Sequence, residues 1–528
     1  MRTRNSFINI IVSFLSYGII MVSSFVTRQI FAGVLGLEIV GIESGFLNVV
    51  SMLAIVELGL GVGIVYKLYR PIAEKNWEQV AVILCFLKKC YYVIAAVIMA
   101  LGLVSSYFVA MPIKEDFSKI WLMQIFMLYV LDVVASYLYS HKRAMFIADQ
   151  KNYVNNTIHI VIQVMLFVSQ IAILKIFGSF EAYLICKIVF RLAENVIISY
   201  RFDKKYNYID LKTKKRMPDI EKKDLFKNMK ALLCHKVSGF GATTVSSLII
   251  MYFISLRENG IYGNYMLVVM GLNTITNEVF NGILASFGNL LNTESREKVY
   301  KNFNILYFIN FLMYSFIVSG FLCISAPFVT LWTGEGSSLG LATTVSIAAY
   351  LYIYGIRQSI TMAKVVAGIY DPDKYMAILG AFITFAVSLI LAKPFGIIGV
   401  MVGNIIGIMS VSYWIQAYLV YDGVFKKNVK SYHTKFTMYT LLTAFYAALS
   451  YSACEILKNK TSTLQALSGF VRNIGVSASA SFHVSEIILY LVVCMIIPNV
   501  INLILFYRTS EFKEVTKVMK SLIRKFAR

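Results

Sequence analysis

The chain has 528 residues, 58% of them hydrophobic and only 15% charged, and its mean hydropathy is +0.69. A soluble globular protein carries about 25% charged residues, so the composition excludes an ordinary soluble enzyme. The 37 Phe, 34 Tyr and 22 Met against 7 Pro exclude a disordered chain as well. The formal net charge of +22 fits cytoplasmic loops of a membrane protein better than a nucleic-acid surface, so no nucleic-acid partner is expected.

The first apolar run, Phe7 to Ala32, is too long for a signal-peptide core and reads as a first span. Scanning for runs of about 20 apolar residues predicts fourteen spans in all: 7–32, 40–66, 90–111, 120–140, 154–175, 180–200, 231–256, 261–290, 304–332, 338–368, 374–392, 394–421, 436–457 and 484–507. The fold class expected is an all-α integral membrane protein. With the N-terminus cytoplasmic, alternate connections collect most of the 50 Lys and Arg on the inner side. Segment 201–230 alone carries eleven and the tail 508–528 seven, so both termini are predicted cytoplasmic.

Shifting the sequence by 221 residues lays spans 1 and 2 over spans 7 and 8, matching Gly18 with Gly239, Leu35 with Leu256, Glu57 with Glu278 and Gly61 with Gly282. Six helices per repeat keep one membrane orientation, which predicts a parallel repeat. The domains expected are an N-lobe over 1–200, a basic cytoplasmic linker over 201–230, a C-lobe over 231–425, and an appended hairpin with a basic tail over 426–528. Two such lobes with a cleft between them would suit alternating access.

Ionisable groups inside hydrocarbon are costly and mark function. In span 10, Tyr350, Tyr354, Arg357, Thr361 and Lys364 fall within about 80° of one helical face, which predicts a cationic, aromatic stripe facing a water-filled cavity. Span 1 offers Arg28, which either lines the cavity or snorkels, and span 7 opens with Lys236. Glu57 and Glu278 serve either as structural hydrogen-bond acceptors or in ion coupling. Lys187, Arg191 and Glu194 in span 6 form either a solvated patch or a site, while His159 reads as a hydrogen-bonded packing residue rather than a proton relay. Glycines four apart, Gly41 with Gly45 and Gly399 with Gly403 and Gly407, read as close helix-packing faces.

No catalytic constellation is present in the sequence, and the seven cysteines are scattered without a C-x-x-C pair, so neither an enzyme, a cofactor nor a metal site is expected. Arg, Lys, Tyr, Asn and Gln suit an anionic, hydroxyl-rich cargo, because guanidinium grips phosphate bidentately and aromatic faces stack on sugars. A cationic drug would call for carboxylates instead.

Three stretches carry a family resemblance. They are 33–71, with Gly33-Val-Leu-Gly-Leu-Glu38, Glu57-Leu-Gly-Leu-Gly61 and Leu68-Tyr-Arg-Pro71; 235–290, with His235-Lys236, Gly260-Ile-Tyr-Gly-Asn-Tyr265 and Ser286-Phe-Gly-Asn-Leu290; and 368–407, with Gly368-Ile-Tyr-Asp-Pro-Asp-Lys-Tyr375 and Phe395-Gly-Ile-Ile-Gly-Val400. With the fourteen-span plan, the chain resembles the polysaccharide (oligosaccharide) flippases of the Wzx type, in the superfamily of the MATE exporters and the lipid II flippases. The resemblance implies a MATE-like fold that flips undecaprenyl-diphosphate-linked oligosaccharide units to the outer leaflet of a bacterial plasma membrane, for capsule or other surface polysaccharide. It further implies a cationic central cavity, a drive from an ion gradient or the membrane potential, and membrane lipids and other polysaccharide-assembly proteins as partners. By position, Arg28, Lys236 and Arg357 would be the cavity cations. The alternatives are a MATE-like small-molecule antiporter and, more distantly, a membrane glycan polymerase.

Overall fold

In hydrocarbon no water can satisfy a backbone amide, so apolar runs of this length must close their hydrogen bonds internally. The computed structural model, which describes residues 2–54, 60–213, 244–369, 372–459 and 477–526 with a few positions in 215–222 and 465–472, is predominantly helical over the described parts of these apolar runs, with no strand among the described residues. Among the described residues, eight helices are long and apolar enough to cross a membrane, and the chain is a multi-pass membrane protein.

The chain forms two compact units, Met1–Gly260 and Ile261–Arg528. The first holds α1 (Arg2–Leu35), α2 (Leu37–Leu53), α3 (Leu60–Ala73), α4 (Trp77–Ala110), α5 (Lys119–Tyr137), α6 (Ser140–Ala148), α7 (Asn152–Phe177), α8 (Phe180–Lys205) and α9 (Thr244–Phe253). Local chemistry sets the ends. Asn76 accepts the Gln79 amide at 3.0 Å ahead of α4, Ser179 accepts that of Ala182 at 3.2 Å ahead of α8, and Gly178 closes α7 in the left-handed region. Its core is aromatic, with Phe31 edge-on to Phe180 at 5.3 Å and Phe46 edge-on to Phe126 at 5.4 Å.

The predicted glycine face on α2 is a backbone contact. A Cβ on Gly41 would lie 1.9 Å from the Leu256 carbonyl oxygen, and the Asn259 amide donates to the Gly41 carbonyl at 2.8 Å.

The second unit takes in most of α10 (Leu256–Thr293), then α11 (Arg296–Thr333), α12 (Leu341–Gly355), α13 (Gln358–Val366), α14 (Lys374–Gly407), α15 (Tyr413–Val420), α16 (Lys430–Asn459), α17 (Ala478–Phe506) and α18 (Ser510–Phe526). The division falls inside α10, and the expected start of the second lobe, 231–243, lies outside the described residues. α14 turns back at Gly396, at φ 58° and ψ −138°, just after Pro394. Spans 11 and 12, expected over 374–392 and 394–421, are therefore the two arms of one hairpin. The three glycines of the second arm meet the first: a Cβ on Gly399, Gly403 or Gly407 would fall 2.0 Å from the Leu391 oxygen, 2.2 Å from Ser388 Oγ or 1.8 Å from Thr384 Oγ1.

Candidate functional site

Span 10 is not the single helix expected over 338–368. It is interrupted at Gly355–Arg357 between α12 and α13, yet Tyr350, Tyr354, Arg357 and Thr361 remain neighbours across the interruption, while Lys364 is taken up by Asp373. Sequence periodicity could not show this, because no proline marks the break and its support comes from α11. The Asn310 side-chain amide donates to the Gly355 carbonyl at 3.1 Å and to that of Ile356 at 2.8 Å, satisfying acceptors that the end of a helix leaves open. The Tyr314 ring lies against Gly355 where any Cβ would collide with it.

The break places Arg357 at the junction of the two helices. Its side chain is buried, with Nη2 donating to Gln416 Oε1 at 2.7 Å and Nε buried without a hydrogen-bond partner. Thr361 Oγ1 approaches the same Gln416 oxygen at 3.4 Å. Around the guanidinium stand the Tyr432, Tyr354 and Tyr350 side chains, the last two with ring centroids 6.2 Å apart. Tyr350 is buried and Tyr354 exposed. No carboxylate pairs with Arg357 among the described residues, which leaves a buried cation held by one amide oxygen and surrounding aromatic rings. Lys364 differs: it is buried in an ion pair with Asp373, which is buried as well, so its charge is compensated.

Within the first unit, Arg28 pairs with Glu43 at 2.5 Å and donates to Ser44 Oγ at 2.8 Å, with both charged side chains buried. It therefore does not snorkel. Its acid was not singled out in the sequence, because the chain turns between them at Gly36, whose φ is 87°. Glu57 and Lys236 lie outside the described residues, and Glu278 is exposed on α10.

The polar face of α8 is a larger site than its own sequence suggests. Lys187 and Arg191 each reach Asp132 of α5 at 3.1 Å. Glu194 binds Arg143 of α6 at 3.1 Å and His159 of α7 at 3.2 Å, and Asn195 accepts from Arg143 at 2.8 Å while donating to the Ala135 carbonyl at 2.6 Å. Further along α8, Lys142 pairs with Asp203 at 2.6 Å and donates to Ser199 at 2.7 Å. Asp132 and Glu194 are buried while Lys187, Arg191 and Arg143 are half-buried, so the accessible side of this network is cationic. Span 6 is thus neither a solvated patch nor a lone helix face, and His159 is hydrogen-bonded to Glu194. The missed signal was Asp132, an isolated acid inside span 4.

No protein-family model and no curated protein matches the chain. Solved structures do match. An inward-facing multidrug-resistance MATE family transporter of the MOP superfamily superposes with a TM-score of 0.61 at 13% identity, over 75% of this chain and 92% of that one. The lipid II flippase MurJ, in an inward closed conformation, gives 0.59 at 13% identity over 93% of this chain and 98% of its own. The fold is MATE-like. The Vibrio cholerae MATE transporter VcmN adds a third likeness, with a TM-score of 0.51 at 13% identity over 81% of this chain and 99% of that one. A MATE-like fold agrees with the all-α, multi-helix architecture expected from the sequence.

Proposed function

We propose that the chain is a flippase for polyprenyl-diphosphate-linked oligosaccharide, moving it from the inner to the outer leaflet of a bacterial plasma membrane by alternating access, for capsule or another surface polysaccharide. The observation that carries this reading is Arg357, a buried guanidinium with a vacant Nε donor, no carboxylate partner among the described residues and tyrosines around it. Such a group offers what a diphosphate needs, and the adjoining aromatic rings offer a surface to sugars. The likeness to MurJ supports the reading because it takes in 93% of this chain, against 75% for the MATE transporter. The buried acids described in the first unit are committed to cations, as Glu43 is to Arg28, Asp132 to Lys187 and Arg191, and Glu194 to Arg143, which favours an anionic cargo over the cationic drug of an antiporter.

In this reading Arg357 contacts the cargo's phosphates, while Tyr350 and Tyr354 flank its sugars. Lys364, already paired with Asp373, holds the helix that follows Arg357. The transporter performs no covalent chemistry and draws on an ion gradient or the membrane potential. Its partners are the lipid-linked cargo, membrane lipids and other polysaccharide-assembly membrane proteins, and both termini are cytoplasmic.

The test is Arg357→Ala expressed at normal membrane level. Losing a buried, hydrogen-bonded cation from a binding site costs about 2–5 kcal/mol, so lipid-linked oligosaccharide should accumulate on the inner leaflet and surface glycan should disappear, with Arg357→Lys retaining part. Normal surface glycan in the alanine variant would overturn the proposal. Altered drug tolerance with an unchanged cell surface would indicate an antiporter, and a change in the glycan's covalent structure a polymerase.

A further inference from the structure

The sequence scatters its cysteines, but the fold gathers three of them. Cys323 of α11, Cys454 of α16 and Cys494 of α17 are all buried, and their Sγ atoms lie within 4.8 Å of one another. They come from three helices and are far apart in sequence, so local helix periodicity cannot have produced the grouping. Cys85, Cys90 and Cys186 are half-buried and lie apart from it. Around the three sulfurs are Val493, Tyr490, Phe316, Ile324 and Leu489, an apolar shell in which no His, Asp or Glu joins the sulfur group among the described residues.

We propose that this cluster is a binding site for one soft monovalent metal ion, Cu(I), with the three cysteine sulfurs as its ligands. Sulfur ligands select soft ions, and hard oxygen-seeking cations find no donor here. A structural zinc site would need a fourth ligand, which the described group does not offer. Metal–sulfur bonds of about 2.3 Å in a trigonal plane place the sulfurs about 4 Å apart, so the observed cluster needs to contract by less than about 1 Å. Cysteine binds metal as its thiolate, so when Cu(I) enters, three Cu–S bonds form, three S–H bonds break and three protons leave to water. The complex carries a net charge of −2, and the metal–sulfur bonds must offset its desolvation cost in this apolar shell. Binding that releases protons weakens as pH falls. The bound ion would tie α11 to the α16–α17 pair.

The experiment uses the full chain, reduced and purified in detergent, titrated with Cu(I) against a chromophoric Cu(I) chelator. The expected result is one tightly held Cu(I) per chain, an X-ray absorption spectrum with sulfur as the sole neighbour, and a raised melting temperature. Cys323→Ser, Cys454→Ser and Cys494→Ser should each weaken binding on the order of a hundredfold, at least the loss seen when an outer partner of a metal site is removed. The Cys85→Ser and Cys186→Ser variants should bind as the parent does. A spectrum of the unmutated protein showing nitrogen or oxygen neighbours overturns the proposal even where a serine variant fails to fold. Retention of the ion by the triple variant, or a disulfide within the cluster with no Cu(I) bound by the reduced protein, overturns it as well.

Discussion

The Asn310 amide of α11 donates to two consecutive backbone carbonyls, those of Gly355 and Ile356, where α12 ends. Replacing Asn310 with Leu would leave both acceptors buried and unpaired. Each such orphan costs about 1–3 kcal/mol, so the variant should melt markedly lower in detergent. If the melting temperature is unchanged, the break at Gly355–Arg357 is held by something other than this residue.

The hairpin within α14 gives a steric prediction. Gly403→Ala adds a methyl group that would lie 2.2 Å from Ser388 Oγ and 2.6 Å from the Ser388 nitrogen, and backbone does not yield as a flexible side chain does. Overpacking of this kind costs about 1–3 kcal/mol. Gly320 in α11 has open space around its Cβ position, so Gly320→Ala should stabilise by about 0.5–1 kcal/mol through helix propensity. Opposite signs for these two alanines, read by thermal denaturation, are the expected outcome.

Asp132 is the counterion of both Lys187 and Arg191. Asp132→Asn leaves two cations facing a neutral amide. Because these cations are about a quarter exposed, the cost should fall below that of a fully buried pair, at about 2 kcal/mol. In an Arg191→Gln background the same change should cost less, and a double-mutant cycle of thermal stabilities measures the difference. Additive costs would show that the two side chains do not share an interaction.

His141 sits in α6, between the spans of α5 and α7, with its Nδ1 buried and lacking a hydrogen-bond partner. Burial, reinforced by Lys88 and Lys142 and opposed by Asp203, pushes the imidazole from 6.5 down to about 4. The folded protein therefore keeps it neutral while the unfolded chain protonates near its ordinary value. Stability is full above that ordinary value and is lost as pH falls toward the lowered one, by up to about 3 kcal/mol. Melting temperatures should drop between pH 6.5 and about 4, and His141→Gln should flatten that slope. An equally steep slope in the variant would assign it to the carboxylates.

The helical spans were legible in the sequence because hydrocarbon leaves the backbone no alternative, and Gly399, Gly403 and Gly407 were legible as a packing face from their spacing. Their partner was not legible, and the turn at Gly396 after Pro394 falls inside the span expected over 394–421, a few residues past its predicted start. The charges were half legible. Arg28, Arg357 and Lys364 stood out because a cation in an apolar run is costly, but the partners that decide their roles are set by the fold. Glu43 neutralises Arg28 and Asp373 neutralises Lys364, whereas Arg357 has only Gln416. The same limit hid the sulfur cluster, since Cys323, Cys454 and Cys494 become neighbours only when three helices pack.

The hairpin divides its residues by how much change each can absorb. Phe382 and Ile390 on the first arm project outward and need only be apolar, so many side chains would serve there. Gly399, Gly403 and Gly407 face backbone or short side chains so closely that a single residue type fits each. Under random mutation this segment would accumulate freely interchanged apolar letters around three that do not move, and that contrast would mark the hairpin in any collection of functional variants.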